Sequence, residues 1–231
     1  WKPLETRAEK AIVQTHMAEN HEDEAITSNL VASVCDVLRT ESYREGHKWN
    51  VGDADAVACP NGVVCITDHG GFEYPELKPH NREDYRTTSI PVQYDQTAKA
   101  PLFEAFLQSV FAPDDDGPSK AQALLEMMGY TLMSHCRYER FAILIGSGAN
   151  GKSVFLKVLE ALVGRENVAG VQPEEFANKF QRAHLHNRLA NLVSEIREGE
   201  QIDDAALKAI VSGEAMTVEH KFKDPFELHP Y

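Results

Sequence analysis

Residues 141–164 read FAILIGSGANGKSVFLKVLEALVG, and no other stretch restricts the possible fold as much. Its centre, Gly146-Ser147-Gly148-Ala149-Asn150-Gly151-Lys152-Ser153, places three glycines and one lysine in eight positions. Glycine reaches left-handed backbone dihedrals at no steric cost. A run of such residues can aim successive N–H groups at one anion. If the turn opens a helix, the free N–H groups and dipole of that helix N-terminus act on the same anion. Lys152 then reaches β- and γ-phosphates, and the Ser153 hydroxyl reaches Mg²⁺. The flanks agree with this. FAILI is a short, wholly apolar run of the kind expected for a buried parallel strand. Val154, Phe155, Val158, Leu159 and Leu162 recur at helical spacing after the turn. A chance match to G-x-x-x-x-G-K-[ST] in a chain of this size has a probability of roughly 1%, so a glycine-rich connector is the weaker reading.

Hydrolysis of a bound nucleotide also needs a carboxylate at the end of a neighbouring strand, to help hold Mg²⁺ or orient the attacking water. RLANLVSEIREGE supplies one: Leu189, Ala190, Leu192 and Val193 form an apolar run that ends at Ser194-Glu195, 43 residues after Lys152. Further on, Asp203 or Asp204 is placed to cap a helix that runs through Ile210 and stops at Gly213. MTVEHKFK then reads as a strand with Lys221 and Lys223 on one face and Val218, His220 and Phe222 on the other. Lysines so placed suit phosphate contacts.

Charge limits how nucleic acid can be met. The chain has 231 residues and a net charge of −13, and residues 1–140 hold 13 basic against 23 acidic groups. An acidic chain does not coat DNA with its whole surface, so any contact is local, through a few lysines in a groove or pore. No run approaches 18 apolar residues, so no membrane span is expected. The first residues lack the apolar centre of a signal peptide. With Trp1 in place of a methionine, the chain is expected to be a fragment or a processed product. Cys35, Cys59, Cys65 and Cys136 are scattered without a disulfide framework, which fits a reducing cytoplasmic setting. Cys59, Cys65 and His69 match no standard zinc spacing.

Upstream of the loop, helical periodicity returns repeatedly. Ile26, Leu30, Val34, Val37 and Leu38, with Val31, form one apolar stripe. In APLFEAFLQSVF, Pro101 suits a first turn, and Leu102, Phe103, Phe106, Leu107, Val110 and Phe111 make an apolar face. Leu124, Leu125, Met128 and Leu132 read as core positions of a further helix. Between these helices, DAVACPNGVVCITDHGGFEY holds two short β-type runs about Pro60-Asn61-Gly62, a tight-turn signal, and His69-Gly70-Gly71 marks another turn. RTTSIPVQYD adds a short extended piece. The predicted organisation is a helix-rich domain with a small β insertion over 1–138 and a phosphate-loop α/β unit over 139–231.

Taken together, GSGANGKSVFLKVLEALVG, NLVSEI and LKAIVSGEAMTVEHKFKDPFEL resemble the superfamily three helicases of phage and plasmid primase–helicases, a group that includes the poxvirus type. NGVVCITDHGGFE, EDYRTTSIPVQYD, APLFEAFLQSVF and LLEMMGYTLM resemble the helical domain that precedes the core in that family, so the resemblance spans roughly residues 30–231. It implies an α/β fold with an AAA+-like P-loop NTPase parallel sheet, preceded by a mainly α-helical domain. It implies ATP and Mg²⁺ as cofactors, a homo-hexamer that threads single-stranded DNA at replication forks, and no membrane association. The resemblance implies that residues Gly146 to Ser153 bind the nucleotide, that Lys152 and Glu195 are the catalytic pair, and that Ser153 with Glu195 serves Mg²⁺. Many such enzymes carry two carboxylates where this chain has Ser194-Glu195. Lys208, Lys221 and Lys223 fall where related rings approach DNA. The family also has a sensor strand between the phosphate-loop strand and the acidic strand, then an arginine offered to the next subunit. Neither occurs before Tyr231, so the resemblance implies a partial sheet, truncated within the core. No primase signature is visible; if priming occurs, its domain would lie upstream of Trp1.

Overall fold

The structure, a computed structural model, describes every residue except 1–4, 21–24, 69, 70, 72, 147, 197, 198 and 200. The described residues form a mixed α/β chain, helical at its amino-terminal end, with three small sheets in place of one large one. The chain divides between Trp49 and Asn50 into two units.

The first unit is a helical hairpin of α1 (Thr6–Asn20) and α2 (Ser28–Ser42). Thr27 caps α2 by accepting the Leu30 N–H on its hydroxyl, which satisfies one of the free donors of the first turn. Arg39 forks onto both carboxylate oxygens of Glu9 across the pair. Val13, Val31 and Cys35 are buried, with Met17, Ile26 and Val34 packed against them. The apolar stripe expected on α2 is therefore only partly buried: Val31 and Cys35 take the seam, while Leu30, Val37 and Leu38 stay exposed. One helix packed on one other covers a narrow strip, and apolar positions to either side of it remain in water.

The second unit opens with an antiparallel meander, β1 (Val57–Cys59), β2 (Gly62–Asp68) and β3 (Glu73–Lys78). The Pro60-Asn61-Gly62 signal is a tight turn as expected, with Cys59 opposite Gly62. Gly62 has φ of 153°, and a Cβ there would fall 2.5 Å from the Lys78 carbonyl oxygen, so glycine alone fits. Asn61 grips Tyr94 twice, donating to its carbonyl and accepting its N–H. This ties the 89–95 segment to the turn, and Ile90 N–H donates to the Ala58 carbonyl. RTTSIPVQYD is thus held by single bonds and forms no ladder. β3 is exposed along its length and carries Pro75, the usual place for proline in a sheet. His69 and Gly70 of the second expected turn lie outside the described residues.

Helices α3 (Pro101–Phe111) and α4 (Gly117–Thr131) follow, then α5 (Lys152–Val163). One core joins Leu107 of α3, Met128 of α4 and Phe155, Leu159 and Val163 of α5 with Cys59, Ile90, Val168 and Leu189. Leu124 and Leu132 pack against this core as expected, whereas Leu125 is exposed. On the apolar face of α3, Leu107 is buried and Phe103 and Phe106 pack against this core, whereas Leu102 is 88% exposed. Gly164 ends α5 with φ of 90°. Just beyond it, buried Asn167 donates from Nδ2 to the carbonyls of Val163 and Ser89, closing the helix end onto the 89–95 segment.

β4 (Val168–Ala169) and β5 (Ala190–Asn191) form a parallel pair. Asn191 extends it with its side chain, accepting the Val171 N–H and donating to the Val171 carbonyl. A second core surrounds the short helix α6 (Lys179–Arg182), helix α7 (Asp204–Ser212) and the antiparallel hairpin of β6 (Met216–Val218) and β7 (Phe226–Leu228). It contains Val171, Phe176, Ala183, Leu185, Ala206, Val218 and Leu228. Asp203 caps α7 by accepting the Ala206 N–H, and Gly213 closes it in the left-handed conformation, both as the sequence predicts.

The FAILI run departs from expectation. Among the described residues, 141–145 belong to no strand, and Phe141, Ile143 and Ile145 are 54%, 59% and 90% exposed. The only parallel pairing among the described residues is β4 with β5. A strand is buried in a parallel sheet only when neighbours cover its faces and pair its backbone, and none does so here.

An ionic clamp leads into this run. Asp55 accepts from His135 Nε2 at 2.6 Å and from Arg137 at 3.0 Å. The Arg137 N–H donates to His135 Nδ1, so the ring proton sits on Nε2, toward Asp55. Burial raises the Asp55 pKa, but the hydrogen bonds from Arg137 and His135 and the charge of Arg137 outweigh it and hold the carboxyl below its ordinary value. A depressed carboxyl adds stability that is complete above its unfolded value and is lost as pH falls through the folded one. Urea midpoints of the parent chain should therefore exceed those of Asp55→Asn at pH 7, with the gap closing below about pH 4. A gap independent of pH would show that the clamp does not act through charge.

Candidate nucleotide site

The described residues of the glycine-rich loop lead directly into α5. Gly148, Ala149 and Gly151 have φ of 98°, 48° and 83°, left-handed values that glycine adopts at no steric cost. Gly151 is the residue before α5, so the loop runs directly into the helix N-terminus. The side of the loop is walled by α3: a Cβ on Gly151 would lie 2.9 Å from Phe106 and Val110. Lys152 turns back over the loop, donating to the Gly146 carbonyl at 3.1 Å and to Asn150 Oδ1 at 2.7 Å. A Cβ on Gly146 would fall 1.6 Å from Asn150 Nδ2, so the missing side chain of Gly146 makes room for the asparagine amide. Ser153 is exposed in the first turn of α5. Ser147 lies outside the described residues. The loop opens onto a cavity of about 1110 Å³ lined by Phe106 and Val110, by Leu124 and Met127 of α4, and by residues 141–145.

The other candidate residues are dispersed. Glu195 follows β5 by four positions in an exposed irregular segment, and among the described residues it makes no hydrogen bond or ion pair with Lys152 or Ser153. The strand expected over 189–193 contracts to two residues, because after Asn191 its side chain replaces the ladder. Lys208 lies on α7, paired with Asp204 at 2.6 Å. Lys221 and Lys223 are exposed in the turn between β6 and β7. The predicted strand MTVEHKFK thus ends at Val218, and its two-faced pattern fails beyond that point. Phe222 is not on a buried face; it is 102% exposed with φ of 65° at the turn, flanked by the two lysines. His220 stacks on Phe226 with ring centres 5.4 Å apart and anchors the base of this turn.

Cys59 is buried, which pushes its thiol pKa up. All four cysteines are free thiols. Among the described residues, no group of three or more His, Cys, Asp or Glu side chains is placed to hold a metal ion, and His69 is outside them. No described helix is long and apolar enough to cross a membrane.

Sequence reasoning identified the loop but missed what Asn150 does within it. The signal was present: an amide two residues before the lysine, opposite a glycine with no side chain.

Two matches to known families bear on this arrangement. Residues 1–112 match a family described as D5 N terminal like, which supports a relationship to the phage and plasmid primase–helicases. Residues 144–231 match a family of unknown function, DUF5906. The phosphate loop, Glu195 and the three lysines all fall inside this second match.

Proposed function

We propose that this chain carries the ATPase portion of a phage- or prophage-type replicative helicase, binding Mg²⁺–ATP at Gly146–Ser153 and using its hydrolysis to move single-stranded DNA. The observation that supports this reading most directly is the left-handed backbone at Gly148, Ala149 and Gly151 leading into α5, with Lys152 folded over it. That arrangement brings left-handed loop residues, a helix N-terminus and one ammonium together, features that polyphosphate recognition uses. Lys152 neutralises charge on the transferred phosphoryl group, and Glu195 orients the attacking water. The Ser153 hydroxyl, at the mouth of the loop, suits Mg²⁺, which spreads charge away from the phosphates when bound. In this reading, 141–145 serve as a strand of an AAA+-like parallel sheet. The working form is a homo-hexamer in the cytoplasm of a bacterial or phage-infected host cell. Lys221 and Lys223 at the β6–β7 turn, with Lys208, meet the DNA backbone.

The test is phosphate release from Mg²⁺–ATP with and without single-stranded DNA, measured on the chain and on Glu195→Gln. The expected result is DNA-stimulated release that the variant loses while it still binds nucleotide. Full release by Glu195→Gln would remove that residue from the reaction.

The exposed position of Glu195 and the unpaired state of 141–145 favour a second reading, a nucleotide-binding assembly module without turnover. Binding of ATP with no release under any DNA condition would select it.

A further inference from the structure

The ammonium of Lys152 has three N–H donors. Two are engaged inside the loop, one by the Gly146 carbonyl and the shorter by Asn150 Oδ1. The first partner is backbone, and a phosphate bound in the loop leaves it in place. The second is a side-chain amide that occupies the space above Gly146 and accepts from the ammonium at 2.7 Å. A phosphate oxygen entering the loop draws on the same ammonium, which the amide holds in place at 2.7 Å.

We infer that Asn150 is a positioning residue that holds Lys152 in a resting pose which an incoming phosphate must displace, and so lowers the affinity of the loop for polyphosphate. This deepens the reading of residues 146–153 as a nucleotide site and rests on it. The ligand class is a Mg²⁺-bound triphosphate, because the competition is for phosphate oxygen and not for the base.

The chemistry sets opposite signs for two substitutions. Asn150→Ala removes the competing acceptor and leaves the ammonium free for phosphate. Asn150→Asp replaces a neutral acceptor with a carboxylate, which binds the ammonium more strongly and repels phosphate. A merely structural role for Asn150 predicts the same sign, weaker binding, for both. Asn150→Ser is a second probe of release. It keeps a polar group in the loop but is too short to reach Lys152 Nζ, so it behaves as the alanine variant does even if alanine disturbs the turn.

The experiment is titration calorimetry of the full chain with Mg²⁺–ATP and, separately, with Mg²⁺–tripolyphosphate, on the parent, Asn150→Ala, Asn150→Ser, Asn150→Asp and Lys152→Ala. The alanine and serine variants are expected to bind both ligands about tenfold more tightly, about 1.4 kcal/mol, and the aspartate variant to bind at least about tenfold more weakly. Unchanged or weaker binding by both Asn150→Ala and Asn150→Ser, with binding lost in Lys152→Ala, overturns the inference and leaves the nucleotide site standing. Absence of binding by the parent chain overturns both.

Discussion

Lys152→Ala is expected to reduce Mg²⁺–ATP binding by at least about a hundredfold, since charge-assisted hydrogen bonds are worth about 1.5–3 kcal/mol each and an ammonium in this loop serves two phosphates. The fold should hardly notice. Both recorded partners of Lys152, the Gly146 carbonyl and the Asn150 amide, belong to the loop itself, and neither joins the loop to another element. Thermal melting of the variant is therefore expected to match that of the parent chain while calorimetric binding disappears. This separation makes the result readable. Lost binding with unchanged melting assigns the loss to the phosphate contact. Unchanged binding would remove the loop from nucleotide recognition, whatever its backbone geometry.

Leu228→Ala is expected to destabilise the second unit by about 3 kcal/mol, within the usual 2–5 kcal/mol for a buried leucine truncated to alanine. Leu228 and Val218 are fully buried, on facing strands of the β6–β7 hairpin. Their neighbours come from separate stretches of chain: Leu185 after α6, Ala206 on α7, Phe176 ahead of α6. Such a site cannot collapse around a lost side chain without moving several elements, so the cavity persists and its penalty is felt in full. The urea midpoint measures it. A shift under about 1 kcal/mol would mean that the hairpin does not close this core. The hairpin also carries Lys221 and Lys223 at its turn, so the same variant should weaken any DNA contact made there.

Much of the local structure was legible in the residues. Gly151 and Lys152 mark the start of α5, Asp203 and Gly213 bound α7, and Pro60-Asn61-Gly62 makes the turn between β1 and β2. Each of these is a signal read over a few neighbouring residues, through a cap or a required dihedral. The glycine pattern of the phosphate loop belongs with them, because the left-handed φ values at Gly148 and Gly151 are what the motif asks for.

Other features depended on partners remote in sequence. An apolar run such as 141–145 states that burial is favourable, but not which strands are available to provide it; here they are absent among the described residues, and Ile143 and Ile145 face outward. The apolar stripe of α2 has more hydrophobic positions than one partner helix can cover, so packing alone selected Val31 and Cys35. Alternation over MTVEHKFK predicted a longer strand than the β6–β7 pairing supports, and Phe222 emerged at the turn instead of on a buried face. The Asp55–His135–Arg137 clamp joins residues some eighty positions apart and carries no sequence motif.

By itself, then, the sequence determined the elements whose signals lie within one turn or one cap: the left-handed glycines before α5, the ends of α5 and α7, the tight turn after β1. Only the tertiary structure decided which apolar faces are buried, where the strands stop, and which partners Asp55 takes. The physical reason is range. Caps and dihedral preferences act between residues that the chain already holds together, whereas burial and pairing require segments that meet only after folding.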